Sequence, residues 1–517
     1  MEPLDSKNPD EKRVNREYGE IPMETQSTDE SGDAGMQSRY FMDMLTPEEQ
    51  KRAVRLSSVC ELEKMCLSQY PEAPAVDTGE ALFTYRRLWG RVARVRGFLK
   101  RQGIGKGDRI AVILPNSAEC IVVFLALSTF GAVPVMISAS LPPAAKTECA
   151  AVAGCRQAFH EGKLAGLDCW PADPADAEAE PAAFVLPEDA AAAFFTGGTS
   201  GTLKCALLSH RALMTGSYFG LFAPSPVFGQ RYFGLIPFSH IFGVVRNLLT
   251  CLQSGGVIRP CANMGRLVPE LQAFQPTVLV LIPALAGMLL RLADVYGKEI
   301  FGGRLHLIVT GGAPQPVPVA KTYIEKYGIR FVSGYGLTET ANLVSGNNEV
   351  LEKAGSVGKL YGLQEIRFVN GEIELRGENI FSGYLNDPAE TEAAFDDGWL
   401  RTGDLGYLDA DGYLYITGRL KNLIYSPGGE KISPEQIEAR VDRLPGVRAS
   451  MVSMKKNALN ADVLTCEIVK EPSAEEALLR EAVELINLEL PAFSGIRQVI
   501  FRTEDFPRTA AMKIIRS

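Results

Sequence analysis

A strand, a loop rich in glycine and hydroxyl residues, and a helix follow one another between residues 190 and 213. Residues 190–195 are apolar and predict a strand, and a helical pattern begins near Ser209. The nine residues between Phe195 and Cys205 include three glycines, three threonines and one serine, and they end at Lys204. Glycines let backbone N–H groups converge on an anion, while hydroxyls and a lysine add further donors. This unit predicts an α/β fold with a phosphate-binding loop, although a solvated turn is the simpler alternative.

The spacing of this loop differs from the P-loop of kinases and GTPases. That loop requires a lysine followed directly by a serine or threonine, whose hydroxyl holds magnesium. Here Cys205 follows Lys204, so the magnesium-holding hydroxyl is missing. The loop therefore belongs to another class of phosphate site.

Composition excludes several classes of protein. The 517 residues carry a net charge of −9 without an extended basic block, which argues against a nucleic-acid partner. Ten scattered cysteines form no C-x-x-C pair, which favours reduced thiols and a cytoplasmic location. With only four histidines, a histidine-rich metal centre is not expected.

The termini and the uncharged run at residues 120–141 give no sign of a membrane protein. Charged residues occur from the start of the chain, so no signal peptide is predicted. Gly131 and Pro134 interrupt the uncharged run. We therefore predict a buried helix to about Phe130 and a strand over residues 133–137, in place of a transmembrane segment.

The composition and the predicted secondary-structure pattern divide the chain into three parts. Residues 1–37 are polar and acidic and predict no structure. Strand–helix units follow, with helices at 85–102 and 285–296, strands at 109–114, 277–282 and 305–310, and a surface connection at 152–189. Alternating strands are predicted at 372–377 and 412–417, followed by a polar break over residues 418–422. The predicted domains are residues 1–37, 38–420 and 421–517.

Several short motifs follow the loop in a fixed order. They are Pro237-Phe238-Ser239-His240, Gly311-Gly312-Ala313-Pro314, Tyr335-Gly336-Leu337-Thr338-Glu339, Thr402-Gly403-Asp404, Arg419, Gly428-Gly429, and Pro507-Arg508-Thr509 with Lys513. Considered without the other motifs, His240 is most simply interpreted as a core histidine, and Thr402-Gly403-Asp404 as a turn. Their order resembles the acyl-adenylate-forming superfamily of acyl-CoA synthetases, adenylation domains and firefly luciferase. The resemblance extends from about Phe83 to Ile515.

This resemblance implies roles for individual residues. His240 would gate the acyl pocket, Thr338 would touch the α-phosphate, Glu339 would bind Mg²⁺, and Lys513 would bridge the carboxylate and the α-phosphate. Tyr335 would stack on adenine, Asp404 would accept both ribose hydroxyls, and Lys421 would be the hinge of the C-terminal domain. The full set of implied nucleotide and coenzyme A contacts is Thr196, Gly197, Gly198, Thr199, Ser200, Gly201, Lys204, Gly312, Ala313, Pro314, Tyr335, Gly336, Asp404, Arg419, Lys421, Gly428 and Gly429.

The resemblance also implies a fold and a reaction. The expected fold is α/β, with a large N-terminal domain of α/β sheets and a distorted β-barrel, and a small mobile C-terminal α+β domain. The expected reaction uses ATP and Mg²⁺ to convert a carboxylic acid to acyl-AMP, releasing pyrophosphate, and then forms a thioester with coenzyme A. Ile241 stands where members that activate amino acids carry an aspartate, which favours a fatty or aryl acid.

Two alternatives stay open at this point. No carrier domain follows Lys513, so the acceptor is either coenzyme A or the phosphopantetheine of a separate acyl carrier protein. Leu203, Cys205 and Met512 depart from the family pattern, which leaves a catalytically weak nucleotide-binding paralogue as a second alternative.

Overall fold

The computed structural model describes residues 40–171, 178–196, 203–223, 226–261, 263–426, 429–457, 460–507, 514 and 516. The predictions made for residues 1–37, Gly197, Gly198, Thr199, Ser200, Gly201, Gly428 and Lys513 lie outside the described residues.

The first sheet has seven strands and carries the phosphate-loop region at one side. Its strands are β3 (Arg109–Val112), β4 (Val133–Met136), β5 (Gln157–Phe159), β6 (Asp168–Trp170), β7 (Ala190–Thr196), β8 (Lys204–Ser209) and β18 (Gly383–Tyr384). Their spatial order is β18-β8-β7-β4-β3-β5-β6. The strands from β7 to β6 are parallel, while β8 is antiparallel to both β7 and β18.

The second sheet is also mainly parallel. Its strands are β1 (Pro74–Asp77), β2 (Leu82–Thr84), β9 (Arg231–Gly234), β10 (Val257–Pro260), β11 (Val278–Leu281), β12 (Leu307–Thr310) and β13 (Arg330–Ser333). Their order is β13-β12-β11-β9-β10-β1-β2, with β2 antiparallel at the edge.

The third sheet is antiparallel and forms the half-barrel. It contains β14 (Ser345–Gly346), β15 (Ser356–Leu360), β16 (Gln364–Val369), β17 (Glu372–Gly377), β19 (Phe395–Asp396), β20 (Trp399–Leu408) and β21 (Leu414–Arg419). The remaining strands are β22 (Ile424–Tyr425), β23 (Lys431–Ile432), β24 (Val447–Lys456), β25 (Asp462–Lys470) and β26 (Gln498–Arg502). Strands β24 to β26 form a separate sheet with its own apolar cluster.

Helices cover the sheets. The α-helices are α1 (Pro47–Arg52), α2 (Val59–Gln69), α3 (Tyr85–Arg101), α4 (Ala118–Phe130), α5 (Pro143–Ala153), α6 (His210–Phe219), α7 (Thr250–Gln253), α8 (Leu267–Phe274), α9 (Pro283–Tyr296), α10 (Val317–Lys321), α11 (Pro388–Ala393), α12 (Pro434–Val441) and α13 (Glu476–Glu489). Two π-helices occupy Gly243–Leu249 and Thr322–Lys326. The largest apolar cluster joins α2, α3, α4 and α6 to strands of the first two sheets.

Helix α4 explains the long uncharged run. Ser117 caps its start by accepting from the Cys120 N–H, and Gly131 ends it with a φ of 84° that favours glycine. Nearly every residue of α4 is buried, and β4 follows at Val133, as predicted. Within the described residues, none of the helices has the length and apolarity needed to span a membrane.

The structure corrects three sequence predictions. Residues 152–189 are not only a surface connection, because β5 and β6 within them extend the first sheet. Lys204 does not end a loop before the helix; it begins β8, which then leads into α6 at His210. The polar break predicted over residues 418–422 starts two residues later, because β21 continues through Gly418 to Arg419 and the 3₁₀ turn Leu420–Asn422 follows.

All ten cysteines are free, as predicted, and most are buried. Burial raises the pKa of the Cys120 thiol to about 12 and that of Cys149 to about 11. These thiols therefore stay protonated at neutral pH and act as small apolar side chains.

Candidate active site

Two glycine-containing segments meet at the carboxyl end of the second sheet. Strands β12 and β13 are parallel with Thr310 opposite Ser333, and the Gly334 N–H donates to the Thr310 carbonyl (3.0 Å). A Cβ on Gly311 would lie 2.7 Å from Leu343 Cδ2, so a larger residue there would require the Leu343 side chain to shift. The next three residues, Gly312, Ala313 and Pro314, are exposed, and we call this segment the ledge. It follows β12, and the Tyr335 segment follows the neighbouring strand β13. Ligands commonly bind at this edge of parallel sheets.

The buried Tyr335 and Asp404 form one polar group with the partly exposed Arg419. The Tyr335 hydroxyl donates to Asp404 Oδ2 (2.7 Å), and Arg419 Nε lies 2.6 Å from Asp404 Oδ1. Asp404 is 2% exposed, and Arg419 is its direct cross-strand partner between β20 and β21. Burial, and then the nearby Asp404 charge, raises the pKa of Tyr335 well above its usual value, so the hydroxyl remains a donor. Although burial disfavours the charged guanidinium, Asp404 raises the pKa of Arg419.

A bulged strand presents Asp404 to this group. Gly403 has a φ of 69°, and its N–H donates to Glu372 Oε1 (3.0 Å). Thr402 Oγ1 donates to the Ile373 carbonyl (2.7 Å) and accepts from the Asp404 N–H (3.1 Å). The turn predicted at Thr402-Gly403-Asp404 is therefore part of the ten-residue strand β20, at an irregularity in its pairing with β17.

A tight backbone crossing holds Thr338 and Glu339. Thr338–Thr340 is a single 3₁₀ turn, and a Cβ on Gly336 would lie 2.1 Å from the Asn342 carbonyl. The Leu337 N–H donates to Thr340 Oγ1 (2.9 Å), and Asn379 Nδ2 donates to the Thr340 carbonyl (2.8 Å). Thr340 is fully buried, while Thr338 and Glu339 are partly exposed, so the turn presents these two side chains.

Tyr384 connects Glu339 to the end of the phosphate loop. Its hydroxyl donates to Glu339 Oε1 (2.7 Å), and the Lys204 Nζ atom lies 5.1 Å from the centroid of its ring. Lys204 also forms a short ion pair with Glu390 of α11. The cross-strand pairing of β8 with β18, with Tyr384 opposite Ala206, sets this arrangement.

His240 lies in a short segment held by Asn116. Asn116 Nδ2 donates to the Gly234 and Ile236 carbonyls (3.0 and 2.9 Å), and its Oδ1 accepts from the Phe238 N–H (2.8 Å). His240 Nδ1 accepts from the Phe242 N–H (3.2 Å), and its ring is partly exposed. The π-helix Gly243–Leu249 begins just after it. His240 is therefore a partly exposed residue that directly precedes a buried helix.

The other predicted contacts divide into two groups. Thr196 ends β7 opposite Lys204 in the sheet, so the described ends of the loop lie together. Lys421 is exposed in the 3₁₀ turn Leu420–Asn422, directly after Arg419, and Gly429 is exposed with a φ of 87°. Both lie where the chain leaves the half-barrel for the C-terminal sheet.

Three site residues escaped the sequence analysis: Asn116, Tyr384 and Glu390. Each contacts partners that are distant in sequence; Tyr384, for example, is 45 residues from Glu339. The only local signal was at Asn116, a polar residue between a buried strand and the buried helix α4.

No group of three or more His, Cys, Asp or Glu side chains within the described residues could hold a metal ion. A cation at Glu339 would therefore need most of its oxygen ligands from a bound substrate. Mg²⁺ bound to nucleotide phosphates commonly uses only one or two protein carboxylates, so a lone Glu339 fits this cation.

Residues 64–385, more than half of the chain, match the family of AMP-binding enzymes. The chain belongs to the AMP-binding enzyme family. The matched residues include the Lys204 strand, His240, Gly311, Tyr335, Thr338, Glu339 and Tyr384.

Two curated relatives of this AMP-binding enzyme are coenzyme A ligases. A 2-succinylbenzoate–CoA ligase of Bacillus cereus (strain Q1) is 29% identical over 485 residues, which cover 86% of this chain and 95% of the relative. A feruloyl-CoA synthase of Amycolatopsis sp. is 29% identical over 409 residues, covering 74% and 82%. The o-succinylbenzoate CoA synthetase of Bacillus subtilis, solved with its acyl-adenylate, has the same fold, with a TM-score of 0.77 and 23% identity over 88% of this chain and 96% of that chain.

Proposed function

We propose that this AMP-binding enzyme activates a carboxylic acid with ATP as an acyl-adenylate and then transfers the acyl group to the thiol of coenzyme A. The observation that carries the proposal is the polar group of Tyr335, Asp404 and Arg419 beside the Thr338–Glu339 turn. It combines a diol acceptor, an aromatic ring and a cation at one edge of the sheet.

In the proposed complex, each nucleotide part has its own residues. Adenine lies between the Gly312-Ala313-Pro314 ledge and Tyr335. The ribose hydroxyls donate to Asp404, since a carboxylate oxygen accepts more than one hydrogen bond. Arg419 and Lys204 face the phosphates, with Thr196 and the residues from Gly197 to Gly201 supplying backbone and hydroxyl donors.

The first half-reaction brings two anions together, so charge neutralisation supports most of the catalysis. The substrate carboxylate attacks the α-phosphorus, and pyrophosphate leaves. Thr338 donates to an α-phosphate oxygen, and Lys513 bridges that phosphate and the carboxylate. Glu339 would hold Mg²⁺, which neutralises phosphate charge when bound.

The second half-reaction needs a different partner at the same site. A turn of the C-terminal domain about Lys421 withdraws Lys513 and brings Gly428 and Gly429 to the site. The thiolate then attacks the acyl carbon and AMP leaves. Using one site twice by domain motion is a common solution in enzymes.

An aryl acid is the substrate class that we favour over a fatty acid. The relatives named above act on 2-succinylbenzoate and ferulate. Ile241, buried just after His240, offers no charge for an α-ammonium group. A long alkyl tail would meet the polar groups of the interior beyond His240, which include the buried Arg246 and Asn342.

The test is ATP–pyrophosphate exchange with panels of aryl, fatty and amino acids, with Lys513→Ala in parallel. Exchange driven by aryl acids and abolished in the variant is the expected result. Exchange that survives in Lys513→Ala would contradict the role of that lysine. If ATP binds and no acid supports exchange, the protein is the weak nucleotide-binding paralogue.

A separate assay identifies the acceptor. Thioester formation from acyl-AMP is measured with coenzyme A and with a phosphopantetheinylated carrier protein. Coenzyme A thioester is the expected product, and transfer to the carrier alone would replace coenzyme A with a carrier protein in the proposal.

A further inference from the structure

Arg246 is a buried arginine that forms no ion pair with the residues that the structure describes. It lies in the π-helix Gly243–Leu249 and is 3% exposed. Its Nε and Nη1 atoms have no hydrogen-bond partner among the residues that the structure describes. It is also the only Asp, Glu, Lys or Arg between Arg231 and Arg259.

A guanidinium stays protonated inside proteins, and burying it without a partner is unfavourable. Arg96 shows the usual solution in this same chain. It is 1% exposed, and its two terminal nitrogens donate to Glu63 at 2.7 and 3.0 Å, while its Nε donates to the Glu180 carbonyl at 2.8 Å. The described residues provide no acceptors for the Nε and Nη1 atoms of Arg246. A bound anion from outside the chain would supply the missing acceptors and the counter-charge.

The position of Arg246 connects it to the proposed acid site. The start of its helix is bonded to His240, since the Gly243 N–H donates to the His240 carbonyl (2.9 Å). The side chain packs toward the end of α6, where Nη1 lies 2.6 Å from the point that a Cβ on Gly220 would occupy. Glycine at position 220 thus makes room for the guanidinium.

A second buried polar atom lies nearby. Asn342 follows the Thr338–Thr340 turn, and its Nδ2 donates to the Gly216 carbonyl (3.0 Å). Its Oδ1 is buried without a partner among the described residues. Val245, the neighbour of Arg246, and Asn342 both contact the open face of Gly216, at 3.0 and 3.1 Å from its Cβ position. Val245 therefore lies between α6 and the loop that carries Thr338 and Glu339, and the guanidinium of the next residue, Arg246, lies beside Gly220 at the end of α6.

We infer, on the basis of the proposed function, that Arg246 binds a second carboxylate at the far end of the acid substrate. The substrate is then a dicarboxylic acid: one carboxylate attacks ATP, and the other pairs with the guanidinium. A monocarboxylic acid of the same shape leaves Arg246 buried and unpaired, so the enzyme discriminates against it.

Matched pairs of acids test this inference in the exchange assay. One pair is 2-succinylbenzoate and 3-benzoylpropionate, which lacks only the ring carboxylate, and the other is hexanedioate and hexanoate. We expect kcat/KM to favour at least one diacid over its partner by about 100-fold, the scale of a lost charged hydrogen bond. In Arg246→Met this ratio falls to about 1, and in Arg246→Lys it stays intermediate, because the charge remains without the planar fork.

Thermal unfolding without ATP gives an independent readout. The diacid raises the Tm of the wild-type protein but not that of Arg246→Met. Without ligand, Arg246→Met leaves the Tm unchanged or higher, whereas Arg96→Met lowers it by stranding Glu63. A loss of Tm in Arg246→Met comparable to that in Arg96→Met would assign Arg246 a structural role and overturn the inference.

The outcomes separate the inference from the proposed function. Exchange with monoacids only, or a diacid preference that persists in Arg246→Met, overturns the inference and leaves the adenylation chemistry in place. Absence of exchange with every acid overturns the proposed function itself.

Discussion

The Tyr384 hydroxyl donates to Glu339 Oε1 across 2.7 Å, and the same ring lies beside the Lys204 ammonium group. Burial, and then the Glu339 charge, raises the pKa of Tyr384, so the tyrosine stays a donor at physiological pH. The bond fixes one oxygen of the carboxylate that we expect to hold Mg²⁺.

Replacing Tyr384 with phenylalanine should therefore weaken the adenylation step. Loss of one hydrogen bond to a charged group predicts about a 10-fold lower exchange rate and a higher Mg²⁺ requirement. Steady-state exchange measured as a function of Mg²⁺ concentration checks this, with the exposed Tyr296→Phe as the control. An unchanged Mg²⁺ dependence would mean that Tyr384 does not position Glu339.

Asp404→Asn should affect nucleotide binding. The amide oxygen still accepts from Tyr335, but the negative charge is lost, so the partly exposed Arg419 lies beside a neutral partner. We expect the KM for ATP to rise by about 10- to 100-fold. Initial rates at varied ATP test this, with Asp411→Asn as the control, because the exposed Asp411–Lys353 pair contributes little. Equal effects of the two changes would contradict the assignment.

Asn116→Ala should loosen the segment that carries His240. The change removes three hydrogen bonds, to the Gly234 and Ile236 carbonyls and from the Phe238 N–H. At about 1 kcal/mol each, the free energy of unfolding should fall by about 3 kcal/mol. We expect a higher KM for the acid and an unchanged KM for ATP. Urea denaturation and the two KM values check this, and a parallel rise in both values would indicate a general loss of structure.

His210 should make the protein acid-sensitive. It is fully buried in α6, and burial lowers its pKa to about 4, while Asp189 opposes and Lys106 reinforces this shift. Unfolded histidine has a pKa near 6.5, so between about pH 6.5 and pH 4 the unfolded state binds more protons than the folded state. The free energy of unfolding should therefore fall as the pH decreases through this window, by about 3 kcal/mol at its lower end.

Denaturation curves between pH 4 and 7.5 measure that slope. His210→Gln retains an acceptor for the Val59 N–H, which His210 Nδ1 accepts at 3.4 Å, but cannot titrate. We expect a flatter dependence in this variant. His160→Gln, at a partly exposed histidine, is the matched control variant.

Much of the candidate site followed from local sequence. By resemblance, the motifs around His240, Gly311, Tyr335, Asp404 and Arg419 predicted candidate nucleotide contacts, and the structure brings Tyr335, Asp404 and Arg419 together. The uncharged run at 120–141 predicted α4 and β4. Such features depend on backbone preference, capping and hydrophobic period, which act within a few residues.

The sequence alone determined the family, the α/β class and the order of the site motifs. Only the tertiary structure decided that Tyr335 meets Asp404, 69 residues away, and that Tyr384 meets Glu339. It alone also decided that two buried nitrogens of Arg246 have no hydrogen-bond partner among the described residues. These relations depend on strand register between β8 and β18 and between β20 and β21, and on the packing of α6 against a π-helix. Register and packing arise from the whole core, so no short pattern specifies them.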